Sequence, residues 1–143
     1  MLQVLQVEQL SQVIAQATAP SFLLGAVSGF VAVLIGRMNE VLDRIRTVNS
    51  IGEDDRLRGR LKTDLPRLVR RAALLNRAIF LAVCSAIATT LLVILAFASA
   101  MLGLRHEPGA ALIFVLALAL MGSALFTLAR EVRIALTEYD HFR

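Results

Sequence analysis

Three long runs without a charged residue constrain this chain more than any other feature: Gln9–Gly36, Ala78–Leu104 and Pro108–Ala129. The second and third are 27 and 22 residues long, and about 20 apolar helical residues cross the hydrocarbon of a bilayer. A helix buried in a soluble bundle rarely stays charge-free for so long, because one of its faces meets water. A hydrophobic fraction of 57% in 143 residues fits the same class. The reading is an all-α integral membrane protein, one domain over 1–143, with three transmembrane helices at about 13–36, 78–104 and 108–129.

Charge placement sets an expected orientation. Of the 15 Lys and Arg residues, 11 lie between Arg37 and Arg77, against 6 acidic residues there, and the first 36 residues hold none. Basic loops stay on the cytoplasmic side, which predicts a cytosolic 37–77 loop, the N-terminus outside and a cytoplasmic C-terminus in the bacterial inner (plasma) membrane. The start MLQVLQVEQL has no basic region of the kind that opens a secretory signal, so the first span is expected to be retained.

Segment 2–17 reads as an amphipathic helix with a polar, nearly uncharged face. Val4, Val7, Leu10, Ile14 and Ala17 recur at helical spacing, and Gln6, Gln9, Gln12 and Gln16 fill much of the rest. Pro20 either kinks one long helix or opens a new one. Beyond Gly36 the stretch GRMNEVLDRIRTVNS keeps an apolar rhythm through Met38, Val41, Leu42, Ile45 and Val48 while taking up charge. The first span therefore projects into the cytosol with one apolar stripe, which needs a partner. Gly52–Asp55 reads as a turn. Thr63 or Asp64 is placed to cap a new helix with Pro66 in its first turn, and Leu65, Leu68, Val69, Ala72 and Leu75 supply the complementary stripe. The expectation is a cytosolic antiparallel helical hairpin over 37–77, formed by extensions of spans one and two. Its stem contacts would come from Asp43, Arg44, Arg46 and Arg71, and a cytosolic tail follows over 130–143.

Within the spans, small residues form stripes: Ser21, Gly25, Ser28, Gly29, Ala32 and Gly36 in the first, and Ser85, Thr89, Ala96, Ser99 and Gly103 in the second. Helices in lipid associate through close packing at such residues. Three spans offer few surfaces to bury every stripe, which predicts a homo-oligomer. Catalytic constellations are missing. His106 and His141 lack metal-ligand spacing, Cys84 is single and apolar in context, and there is no phosphate-cradling glycine loop. No enzyme, metal or cofactor is expected. The 37–77 loop mixes Arg with acids and holds no aromatic residue, which argues against nucleic acid. Partners are then the lipid bilayer and further copies, with Arg70, Arg130 and Arg133 placed to meet anionic headgroups. Glu131 lies two residues past the third charge-free run. A carboxylate at that depth is costly alone, so it is expected to join Arg37 or Arg77 in an ion-pair network at the membrane edge; the alternative is a solvated tail carboxylate.

The segments GRMNEVLDRIRTV, RRAALLNRAI (Arg70–Ile79) and LAREVRIAL (Leu128–Leu136) resemble a bacterial membrane protein family of unknown function, domain of unknown function 2721. Arg37, Asn39, Asp43, Arg44 and Arg46 match its pattern of Arg and Asn before an Asp-Arg-x-Arg unit; Glu40 departs from the basic or small residue common there. The resemblance implies a three-span membrane protein with no assigned chemistry. The functional expectation is a non-enzymatic homo-oligomer that conducts ions or small solutes along a path lined by Gln9, Gln12, Gln16, Ser21, Gly25 and Ser28. The alternative is an accessory subunit of a larger membrane complex, or a scaffold for anionic lipids.

Overall fold

A computed structural model describes the backbone of residues 1–50, 56–104 and 107–140, with side chains except at 56–58, 60, 61, 107 and 138–140. The regular structure of these residues is helical: α1 Leu2–Ser50, α2 Arg56–Leu102 and α3 Glu107–Asp140. Each carries a stretch long and apolar enough to cross a membrane, and no more than 28% of the most apolar window of any helix is buried. Phe22, Phe80, Ile94, Leu112 and Phe126 lie on the outside. That is the surface of a multi-pass membrane protein, in which lipid replaces water as the solvent of apolar side chains.

The inward positions follow a seven-residue period. Val27, Leu34, Val41 and Val48 are buried on α1; Leu68, Leu75, Ala82 and Thr89 alternate with Arg71, Ala78, Ser85 and Leu92 on α2; Ala117, Ala124 and Glu131 are buried on α3. Steps of three and four residues keep one seam inward, as in helices packed side by side with knobs in holes. Leu42 and Val69, expected in the stripes, stand off this phase and are exposed.

The chain divides into two compact units, Met1–Phe30 with Ala82–Gly122, and Val31–Leu81 with Ser123–Arg143. In the first, Ala17, Val27, Ala82, Leu92, Ala117 and Met121 are buried, and the Ser85 hydroxyl donates to the Ala117 carbonyl at 2.7 Å, tying α2 to α3. In the second the buried apolar side chains are Leu34, Val41, Val48, Leu68, Leu75, Ala78 and Ala124.

Two expectations about helix ends are settled by the backbone. α1 runs through Pro20 without a break, so Pro20 does not open a new helix. The ring costs the bond that its N–H would have made to Gln16, and a membrane helix tolerates that loss when neighbouring groups compensate. The expected cap at Thr63 or Asp64 is not formed, because α2 starts at Arg56 and holds Pro66 inside it. The Thr63 hydroxyl donates to the Gly59 carbonyl at 3.0 Å, one turn back, which is helix-interior behaviour. Pro66 is exposed, so water can satisfy the carbonyl it leaves without a donor. The expected turn at Gly52–Asp55 lies outside the described residues. At the other end of α2, Gly103 takes a positive φ of 66° and Leu104 N–H donates to the Ser99 carbonyl at 3.0 Å. This left-handed glycine followed by a six-to-one bond closes the helix.

Candidate functional site

Glu131 is the one fully buried carboxylate among the described residues, at 0% exposure. Its two oxygens go to different helices. Oε2 accepts from Arg37 of α1, with Nε at 3.0 Å and Nη2 at 2.8 Å. Oε1 accepts from Arg71 Nε of α2 at 2.9 Å. The Arg71 side chain is 9% exposed and that of Arg37 34%. Guanidinium groups from two helices thus share one carboxylate. Among the described residues no buried side-chain polar atom lacks a hydrogen bond, so the burial of these charges is matched by partners, as low-dielectric surroundings require.

The helical phase explains why these residues meet. Glu131 continues the seven-residue steps of Ala117 and Ala124. Arg37 lies three residues after Leu34 and four before Val41; Arg71 lies three after Leu68 and four before Leu75. All three charges therefore occupy seam positions. Arg77, offered with Arg37 on grounds of depth, is off phase and exposed. Arg71, expected to serve the stem, is the second partner of Glu131. Reading the seam through Leu68 and Leu75 was the available signal for it. The arrangement clamps three helices at one level, and among the described residues no group of three or more His, Cys, Asp or Glu is placed to hold a metal ion.

Elsewhere the expected residues separate into groups. Gln9, Gln12 and Gln16 are exposed and line a pocket of about 260 Å³ with Ser99 and Gly103. Ser21 and Gly25 line a second, apolar recess beside Phe22 and Phe97, and Ser28 belongs to neither. The Ser21 and Ser28 hydroxyls donate to the carbonyls of Ala17 and Leu24, at 2.7 and 2.9 Å. Asp43 and Arg46 pair across one turn at 3.5 Å, and Arg44 reaches Glu40 at 3.8 Å, all exposed. Arg70, Arg130 and Arg133 are exposed. Arg70 borders a further pocket of about 220 Å³, with Arg67, Leu68, Arg71, Ile134 and Thr137. Cys84 is a half-buried free thiol, and His106 and His141 lie outside the described residues.

A family model described as protein of unknown function (DUF2721) matches residues 17–141. No curated protein and no solved structure matches the chain.

Proposed function

The chain belongs to the DUF2721 family, and from that premise we propose that it acts as a non-enzymatic homo-oligomer of the inner membrane whose first helix lines a path for ions or small solutes. One observation carries the reading. Ser21, Gly25, Ser28, Gly29, Ala32 and Gly36 are all exposed on α1, and a Cβ placed on Gly25, Gly29 or Gly36 meets nothing within 4 Å. A smooth strip of this kind gains little from lipid and much from another helix, which it admits to close backbone approach. Further copies of the chain are the partners it suits. The exposed Gln9, Gln12 and Gln16 and their pocket supply the polar lining of such an assembly.

In this reading the basic 37–77 region is cytosolic, with the N-terminus outside and the C-terminus inside. The ends of α1 and α2 form the hairpin, a role supported by the burial of Val41, Val48, Leu68 and Leu75. Glu131, Arg37 and Arg71 lock the three helices at the cytosolic edge of the hydrocarbon. Exposed arginines on the same stretch favour a second reading, a scaffold that holds anionic lipids.

The test combines mass measurement of the purified protein in lipid with ion flux in liposomes. A ring of four or more subunits, with flux slowed by bulky thiol reagents on a Gln12→Cys variant, is the expected result. A monomer without flux overturns the conducting reading. Cysteines replacing Gly59 and Leu104, labelled from opposite sides of the membrane, test the orientation; labelling from one side sinks it.

A further inference from the structure

We propose that the pocket between the glutamine face of α1 and the last turn of α2 takes small uncharged molecules that both donate and accept hydrogen bonds. Simple amides and polyols are the class, and Pro20 frees one of the acceptors. The lining decides the charge of the ligand. Gln9, Gln12, Gln16 and Ser99 supply its polar side chains, and none of the described residues around it carries a charge. Ala96 and Ser99 lie inside the second charge-free run, where water is scarce. An ion there without a counter-charge costs far more than a neutral molecule that trades its hydrogen bonds with water for others. The pocket holds about 260 Å³, several times the ~30 Å³ share of one liquid water. That is room for a molecule of several heavy atoms, and too wide for a few neutral oxygens to replace the water shell of a bare ion. A glutamine amide offers an oxygen that accepts and an NH₂ group that donates, which suits a partner with both functions.

The backbone adds groups that the side chains alone do not reveal. In a helix the carbonyl of residue 16 faces the nitrogen of residue 20, and Pro20 has no N–H to give it. The hydroxyls nearby are spent on other carbonyls, Thr18 on Ile14 at 3.1 Å and Ser21 on Ala17 at 2.7 Å. Gln16 and the buried Pro20 both border a neighbouring recess of about 340 Å³, and Gln16 borders the glutamine pocket as well. The acceptor that Pro20 leaves open therefore stands where the two spaces meet. The Ser99 hydroxyl donates to the Leu95 and Ala96 carbonyls, at 2.7 and 3.1 Å, so its oxygen is left to accept. Ala110, in the first turn of α3, lines both spaces, and the first N–H groups of a helix find no acceptor within it. Acceptors from α1 and α2 and donors from α3 thus adjoin one volume.

This inference rests on the reading of the glutamine pocket as part of the path, and binding is measured apart from flux. In the full-length protein with Cys84→Ala, the thiol of Gln12→Cys is reacted in detergent with N-ethylmaleimide, an uncharged reagent. Acetamide is expected to slow the reaction severalfold and saturably. Potassium chloride at the same osmolality should leave the rate unchanged, and acetone, of acetamide's size but without a donor, should protect less. Pro20→Ala returns an N–H to the Gln16 carbonyl and should weaken the acetamide effect about threefold or more. Ser28→Cys, exposed on the same helix and outside both spaces, should react at a rate that acetamide does not change. Equal protection by acetone or potassium chloride, or none by acetamide, overturns the proposal whether or not the Pro20 variant folds. An undiminished effect in a folded Pro20→Ala variant overturns the part given to Pro20. Equal slowing at Ser28→Cys makes the effect one of the medium and overturns the site. In liposomes, acetamide protection without any flux keeps the site and removes conduction; potassium flux without protection keeps conduction and overturns the site.

Discussion

The polar groups of Met1–Phe30 with Ala82–Gly122 and those of Val31–Leu81 with Ser123–Arg143 solve the same problem in opposite ways. In the second unit, the charges of Glu131 and Arg71 are buried and matched within one chain, and Arg37 keeps a third of its side chain outside. In the first, Ser85 and Thr89 are buried on backbone carbonyls, while the glutamines of α1 stay exposed around an open pocket. The difference teaches where the chain is self-sufficient. A buried ion pair must be completed by the fold itself, because a missing partner costs several kcal/mol. An uncharged amide face tolerates water, lipid headgroups or another copy, and so leaves room for an external partner.

The largest effect should come from Glu131→Ala, which removes the buried carboxylate shared by two guanidinium groups and is expected to cost about 3–5 kcal/mol, read as unfolding in detergent. A loss below about 1 kcal/mol would place both arginines in water and erase the contrast. Next, Arg71→Gln should destabilise more than Arg37→Gln, because Arg71 has the less exposed side chain; the reverse order would move the weight of the cluster to α1. Ser85→Ala removes the bond to the Ala117 carbonyl, and about 0.6 kcal/mol is expected, with about 1.7 kcal/mol as an upper bound. The smallest change belongs to replacement of Gln9, Gln12 and Gln16 together by Ala, within about 0.5 kcal/mol of wild type. If that triple variant unfolds as readily as Glu131→Ala, the amide face is as closed as the ion-pair cluster and the comparison fails.

Much of the fold was legible because lipid imposes a simple rule. Charge-free runs of the required length mark Gln9–Gly36, Ala78–Leu104 and Pro108–Ala129 whatever the packing between them; α1 and α3 each contain one, and α2 takes in all of its own except Gly103 and Leu104. Rotation about each helix axis was harder to read. Depth alone offered Arg37 and Arg77 equally for Glu131, and only the seven-residue phase through Leu68 and Leu75 separates Arg71 from its neighbours. Pro66 misled for a related reason. Its ring suits a first turn, yet α2 begins ten residues earlier, since an exposed proline leaves its orphaned carbonyl to water. The small residues of α1 suggested packing, and the exposure of that strip identifies it as a surface that one copy does not cover.

The two contacts of Glu131 span 94 and 60 residues of chain, reaching back to Arg37 and Arg71. Synthesis runs from the N-terminus, so both arginines emerge well before the carboxylate that matches them. Until α3 arrives, Arg37 and Arg71 lack the carboxylate that joins them in the finished fold. The contacts at this level can close only once Glu131 has been synthesised. A chain stopped short of residue 131 therefore lacks the contact that ties α1 and α2 to α3 at this level.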